Sequence, residues 1–259
     1  MAKKGKFDIN AVSIPTFSVT LLSGKIVTVR SIIMKEYRNL LLAKDGSDDA
    51  IDHVDAIEQV VRNCIIDDVD EKSLTAYDFE LIFIKAFQFG TGERNIRLNY
   101  QCTNHVEKLD EGTGELQIKK CGSLMKTAVD LNTIKPSTIF DKMSTEDKEF
   151  EIQENVVLTL RCPTFKDTTN FNATSNEGVI STIINNFKSI RINDIITPAH
   201  DITDEDMEEL FERISPLQIK EMFDFVVSIP RVSANVKVKC PSCGKKYEQK
   251  MIGIEDFFV

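Results

Sequence analysis

The sequence predicts an α+β fold built from two duplicated halves. Three observations predict it. Four segments recur in the same order in both halves. They switch between the two-residue apolar alternation of strands and the 3.6-residue period of helices. Each half then closes on a strand that runs into a cysteine. A chain of 259 residues suits one large or two small domains. The repeats divide it into a first repeat at 1–135, a linker at 136–150 and a second repeat at 151–259. The join, KPSTIFDKMSTEDKEF (135–150), is polar and carries a proline.

The elements follow in order. FSVTLLSGKIVTVR (17–30) reads as a strand pair turning at Ser23-Gly24, a usable hairpin signal. IVTVRSIIMKEYRNLL (26–41) is echoed by VLTLRCPTFKDTTNF (157–171), so Arg30 and Lys35 correspond to Arg161 and Lys166. The acidic GSDDAIDHVD (46–55) reads as irregular. AIEQVVRNCI (56–65) and VISTIINNF (179–187) both have helical spacing, with Asn63 and Asn186 at equivalent places.

A second helix follows in each half. SLTAYDFELIFIKAF (73–87) aligns with SPLQIKEMFDFVV (215–227), matching Phe83 to Phe223 and Phe79 to Ile219. Ser215 can cap that helix, Pro216 suits its first turn, and Thr75 stands where Ser215 does. DITDEDMEELFERI (201–214) offers Thr203 as a cap and acids that suit the helix dipole. RLNYQC (97–102) and VKVKC (236–240) are the closing strands. CGSLMKTAVDLNTI (121–134) and CGKKYEQKMIGIEDFF (243–258) follow as cysteine-glycine, strand and apolar terminus.

The cysteines carry the chemistry. CPSCG (240–244) is a knuckle: two thiolates two residues apart can grip one tetrahedral zinc, and the glycine lets the backbone turn. A structural site needs four ligands, and the repeat supplies the others, since Cys102 aligns with Cys240 and Cys121 with Cys243. TNHVEKLDEGTGELQIKK lies between Cys102 and Cys121 as a strand–loop–strand insertion that returns the chain. The expected site is therefore one structural zinc per chain on Cys102, Cys121, Cys240 and Cys243, a zinc-ribbon-like centre shared by both halves. His105 stands as an alternative ligand in place of one cysteine. Cys64 reads as core, and Cys162, before Pro163, as structural.

Composition narrows the function. A hydrophobic content of 42% supports a real core, and a net charge of −9 disfavours non-specific contact with nucleic acid or anionic lipid. MAKKGKFDIN has no apolar run after its lysines, so no secretory signal is expected, and the thiols are read in a reducing compartment. No stretch approaches 18 apolar residues, so no membrane partner is expected.

His53, His105 and His200 lie in no nucleophile motif, with His53 and His200 read in polar loops. There is no GxxxxGK[ST] and no GxGxxG. Four thiolates leave zinc no open position, so no enzyme activity, catalytic residue or small-molecule substrate is expected. The second reading is a zinc-ribbon nucleic-acid-binding protein, offered by Lys237, Lys239, Lys245, Lys246 and Lys250. Tyr247 is the only aromatic beside them before the terminus. Phe257, Phe258 and Val259 form an apolar end that either meets a partner or packs on its own domain.

The run VxVR, VVRNCIID, SLTAYDFELIFIKAF, a strand into a cysteine, then CG and a strand resembles the baseplate hub assembly proteins of T-even-type contractile-tailed phages. The likeness is clearest over 17–135, and 68–86 carries most of it. It implies a hub component or assembly factor that contacts other tail and baseplate hub proteins. It implies action in the host cytoplasm during assembly, or residence in the virion tail baseplate. The family's knuckles match Cys240 and Cys243; the widened Cys102–Cys121 spacing departs from them.

Overall fold

The computed structural model describes residues 12–44, 53–70, 74–109, 112, 116–137, 146–168 and 175–258. Its elements mix helix and antiparallel sheet, an α+β fold. By spatial compactness it forms two units. One is 1–74 with 81–93; the other is 75–80 with 94–259.

In the first unit, β1 (Thr16–Thr20) and β2 (Ile26–Arg30) pair antiparallel, and the turn closes through Leu21 N–H to the Lys25 carbonyl at 2.8 Å. Val27 and Val29 are fully buried, as the alternation predicts. The strand ends at Arg30, whose guanidinium meets Glu36 at 2.8 Å. Glu36 also accepts the Ile33 N–H at 2.9 Å, capping α1 (Met34–Lys44), a helix that the sequence patterns do not single out.

Next comes α2 (His53–Cys64), whose Ile57, Val60, Val61 and Cys64 are buried on the predicted face. His53 therefore opens a helix rather than sitting in a loop, while residues 46–52 of the acidic stretch lie outside the described residues. Beyond α2 the chain bridges back to β2 through Ile65 and Val29. α3 (Ala76–Thr91) contributes residues to both units.

The second unit holds two substructures. A four-stranded antiparallel sheet runs β11-β10-β9-β8, from β8 (Lys148–Gln153), β9 (Val156–Leu160), β10 (Phe187–Ile192) and β11 (Ile195–Pro198). Of these, only β9 falls in a segment that the sequence marks as a strand. Between β9 and β10 run α4 (Phe165–Thr168) and α5 (Asn176–Ile184); after β11 come α6 (Asp204–Glu212) and α7 (Pro216–Val227). Leu158, Leu160, Phe187 and Ile190 of the sheet pack with Ile183, Met207, Phe211, Met222 and Phe225 of the helices. Burial of that apolar surface is what holds this layer together. Thr203 caps α6, and Ser215 with Gln218 forms a reciprocal capping box on α7.

The other substructure is a pair of ribbons. β3 (Asn95–Gln101) pairs antiparallel with β6 (Leu124–Asp130), and β12 (Val232–Lys239) with β13 (Lys246–Ile252); β12 lies against β6. Between β3 and β6 projects the hairpin of β4 (His105–Leu109) and β5 (Leu116–Lys120). β7 (Lys135–Pro136) adds to the β12 edge, so strands reach into both ends of the segment 136–150.

A buried charge anchors β12. Glu80 is fully buried and accepts the Val232 N–H at 2.8 Å, the Ile254 N–H at 3.2 Å and two N–H groups of Arg231. Arg231 also reaches Glu255 at 2.8 Å. Burial pushes the Glu80 carboxyl up to about 7 against the pull of Arg231. The last helix, α8 (Glu255–Phe258), buries Phe257 within the fold, which for this residue favours packing on its own domain over contact with a partner. The Phe258 side chain and Val259 lie outside the described residues.

Candidate metal centre

Both ribbons end in a cysteine, and both turn back through the same hydrogen bonds. Cys102 N–H donates to the Ser123 carbonyl at 2.9 Å and Cys240 N–H to that of Lys245 at 2.8 Å. Gly122 N–H donates to the Cys102 carbonyl and Gly244 N–H to that of Cys240, each at 3.0 Å. Gly122 and Gly244 have φ of +67° and +74°, the left-handed region that glycine enters without a Cβ clash. The knuckle predicted at 240–244 is thus matched by a second one, closed across the β4–β5 insertion.

The turns bring four sulfurs together. The Sγ atoms of Cys102, Cys121, Cys240 and Cys243 all lie within 4.8 Å of one another. Cys102 and Cys243 stand 3.6 Å apart, and Cys121 and Cys240 3.7 Å. A disulfide requires about 2 Å, so these cysteines are not joined by disulfides. Four sulfurs around one zinc at about 2.3 Å are spaced roughly 3.8 Å apart, close to the two pairs measured. The donor set therefore fits a tetrahedral metal ion. His105 begins β4, is exposed and stands outside the cluster, so the alternative ligand set finds no support.

The electrostatics divide the thiols. Cys240 is drawn down to about 6, first by the Cys243 N–H and then, against burial, by that of Ser242. Cys243 is lowered, first by the Lys245 N–H. For Cys121 the Ser123 N–H pulls down, but burial and the surrounding thiols push harder, up to about 11. Amides thus stabilise thiolate at one knuckle while crowding opposes it at the other. A divalent cation bound at the centre would relieve that conflict by stabilising the thiolate form of every sulfur it touches.

Supporting groups that no sequence motif marks surround the sulfurs. The Tyr247 hydroxyl lies 3.1 Å from Cys102 Sγ and accepts the Asn104 N–H at 3.0 Å. Asn104 Nδ2 reaches Cys243 Sγ at 3.6 Å. Ser123 and Ser242, each two residues past a ligand, meet hydroxyl to hydroxyl at 2.9 Å and clasp the two knuckles. Their one signal in the sequence is position: each lies within four residues of a cysteine. Tyr100, Met125, Val106 and Val238 pack an apolar collar around the site.

The remaining sequence candidates stand elsewhere. Cys64 is buried core, its thiol pushed up to about 11 by burial. Cys162 is half-buried and likewise pushed up to about 11 by burial. His200 is 81% exposed beside Asp201. No described helix is long and apolar enough to cross a membrane.

The four thiols face one another at the ends of two ribbons, a donor set that could hold a metal ion. Comparison with known proteins places the chain in a class. The chain belongs to the T4 bacteriophage base plate protein family, whose sequence profile matches residues 14–259. The baseplate hub assembly protein gp26 of Enterobacteria phage T4 is 22% identical to it over 237 residues, covering 92% of this chain and 94% of that protein. No solved structure gives a significant match. The resemblance carried by residues 68–86 is thereby borne out at the level of the family.

Proposed function

We propose that this chain is a structural or assembly protein of a contractile phage tail baseplate hub, acting by protein–protein contact. The observation that carries the reading is family membership along residues 14–259. Similarity to a hub assembly protein over nearly the whole chain supports the hub in particular. Its partners are other tail and baseplate hub proteins, met in the host cytoplasm and, for a chain retained in the particle, in the virion tail baseplate.

The metal is a structural zinc, one per chain, on Cys102, Cys121, Cys240 and Cys243; the sulfur spacing supports it. Zinc there supplies a rigid clasp and no open coordination position. The assembly role of its relatives supports a non-enzymatic reading, in which the residues position surfaces rather than reacting atoms.

Duplication built the site. Three local motifs recur. Arg30 pairs with Glu36, which caps at Ile33; Arg161 pairs with Asp167, which caps at Thr164. Thr75 and Asp78 cap α3 reciprocally, as Ser215 and Gln218 cap α7. The two knuckles share their hydrogen bonds. These recurrences support repeats at 1–135 and 151–259 joined by 136–150.

The test is zinc content of the purified protein, with Cys→Ser changes at positions 102, 121, 240 and 243. About one zinc per chain, lost with each change, is expected. A site that survives loss of Cys121 would end the four-cysteine reading. For the role, a phage lacking the chain should accumulate incomplete baseplates; complete tails in its absence would end the hub reading.

A further inference from the structure

The outer face of the β12–β13 ribbon differs in charge from the rest of the chain. Residues opposite one another in an antiparallel ladder point the same way. Asn235 with Lys250, Lys237 with Glu248, and Lys239 with Lys246 therefore share one face, and all six are exposed. Lys245 adjoins them in the knuckle and is also exposed. Five lysines and one glutamate thus stand on one ribbon of a chain whose net charge is −9. The inner face is already used: Ala234, Val236 and Met251 are buried, and Tyr247 turns to Cys102.

Little within the described residues neutralises these lysines. Lys237 meets Glu248 at 3.3 Å, both largely in water, and Lys250 donates to the Ser137 carbonyl at 3.1 Å. Lys239 and Lys246 face each other directly across the ladder, and among the described residues neither has a carboxylate partner. Like charges directly opposite destabilise a ladder. A Cβ added at Gly244 would stand 3.9 Å from Lys239 Cε, so this side chain runs beside the knuckle. The fold thus carries an uncompensated ammonium pair on a ribbon fixed by the thiol clasp.

We propose that this face, formed by Lys237, Lys239, Lys245, Lys246 and Lys250, is a docking surface for an acidic patch on a partner protein. The proposal rests on the assembly reading above and names the chemistry of the partner. Charge complementarity selects an acidic occupant. A protein fits better than nucleic acid for two reasons. The face has no aromatic on which a base can stack, and Glu248 at its centre repels a phosphate backbone. A protein surface of mixed sign accommodates that glutamate.

The test is complementation of a phage lacking the chain with three variants: K239Q/K246Q, K239E/K246E and Cys240→Ser. Zinc content and thermal melting serve as folding controls. The glutamine pair also removes the like-charge repulsion, so it should melt no lower than the parent. The expected result is a roughly tenfold loss of complete tails with glutamines and a larger loss with glutamates. Suppressors of the glutamate variant should exchange an acidic for a basic residue in another tail protein.

Normal tail yield from K239E/K246E, with failure of Cys240→Ser, overturns the docking surface and leaves the assembly reading standing. Complete tails without the chain overturn that reading itself. Two further results also overturn the proposal. One is binding of the purified protein to a short DNA duplex that the glutamate variant abolishes. The other is self-association, seen by sedimentation, that depends on these lysines.

Discussion

Replacing Glu80 by alanine should cost far more stability than its single ion pair suggests. The carboxylate holds Arg231, but it also satisfies the backbone N–H groups of Val232 at 2.8 Å and Ile254 at 3.2 Å. Truncation leaves Arg231 with Glu255, so the guanidinium keeps a partner. The two backbone donors lose theirs. A buried orphan donor costs about 1–3 kcal/mol, so the pair costs roughly 2–6 kcal/mol. Relaxation and water entry lower that cost while the loss of the buried ion pair adds to it, and together they place the expected loss at about 3–5 kcal/mol.

The control is Glu255→Ala. Glu255 is 36% exposed, and Arg231 retains Glu80 when it is removed, so about 1 kcal/mol or less is expected. A double change, E80L/R231M, removes the buried charges but still orphans both amides. It should retain about 2 kcal/mol or more of the loss. Urea denaturation of the metal-loaded protein, followed by far-ultraviolet circular dichroism, measures all three. Equal losses for Glu80→Ala and Glu255→Ala, or full recovery in the double variant, would refute the view that Glu80 anchors backbone.

Gly253→Ala should cost about 2 kcal/mol or more. Its φ is +83°, and a Cβ would stand 2.5 Å from Arg231 Cζ; an unchanged melting temperature would contradict this. Tyr247→Phe removes the hydroxyl beside Cys102 and should weaken metal binding about tenfold at unchanged stoichiometry, read by competition with a chromophoric chelator. Burial alone would raise the Asp167 carboxyl, yet Arg161 and Thr164 hold it below the usual range. Glu36 is likewise held down by Arg30 and the Ile33 N–H against burial. Lowered folded values mean stability that is present above the unfolded value near pH 4 and lost as pH falls through the folded ones. The urea midpoint should therefore fall below about pH 4, and less steeply in an E36Q/D167N variant.

The ribbons and the cysteine cluster are legible in the sequence because short-range chemistry marks them: alternation, a cysteine at each strand end and a glycine after the second cysteine of each knuckle. α1 is not legible, because its exposed Met34, Leu41 and Leu42 interrupt any clean apolar stripe. Its N-terminus is made by Glu36 bonding backward to Arg30 and Ile33. β8, β10 and β11 escape the pattern because each is short and weakly marked: β8 turns only Phe150 and Ile152 inward against outward Glu149 and Glu151, and a register shift between Phe187 and Ser189 breaks the alternation of β10. Tyr247 reads only as an isolated aromatic, since nothing local reveals that its hydroxyl meets a sulfur 145 residues away in sequence.

That long separation has a consequence for biosynthesis. Cys121 and Cys240 are 119 residues apart. At roughly 5–20 residues per second, about 6–24 seconds pass between their appearance during synthesis. For that interval the first knuckle has two sulfurs, too few to enclose a tetrahedral ion. A metal held by all four sulfurs can therefore be enclosed only after the second ribbon has been made, so its capture would mark copies in which both ribbons are present.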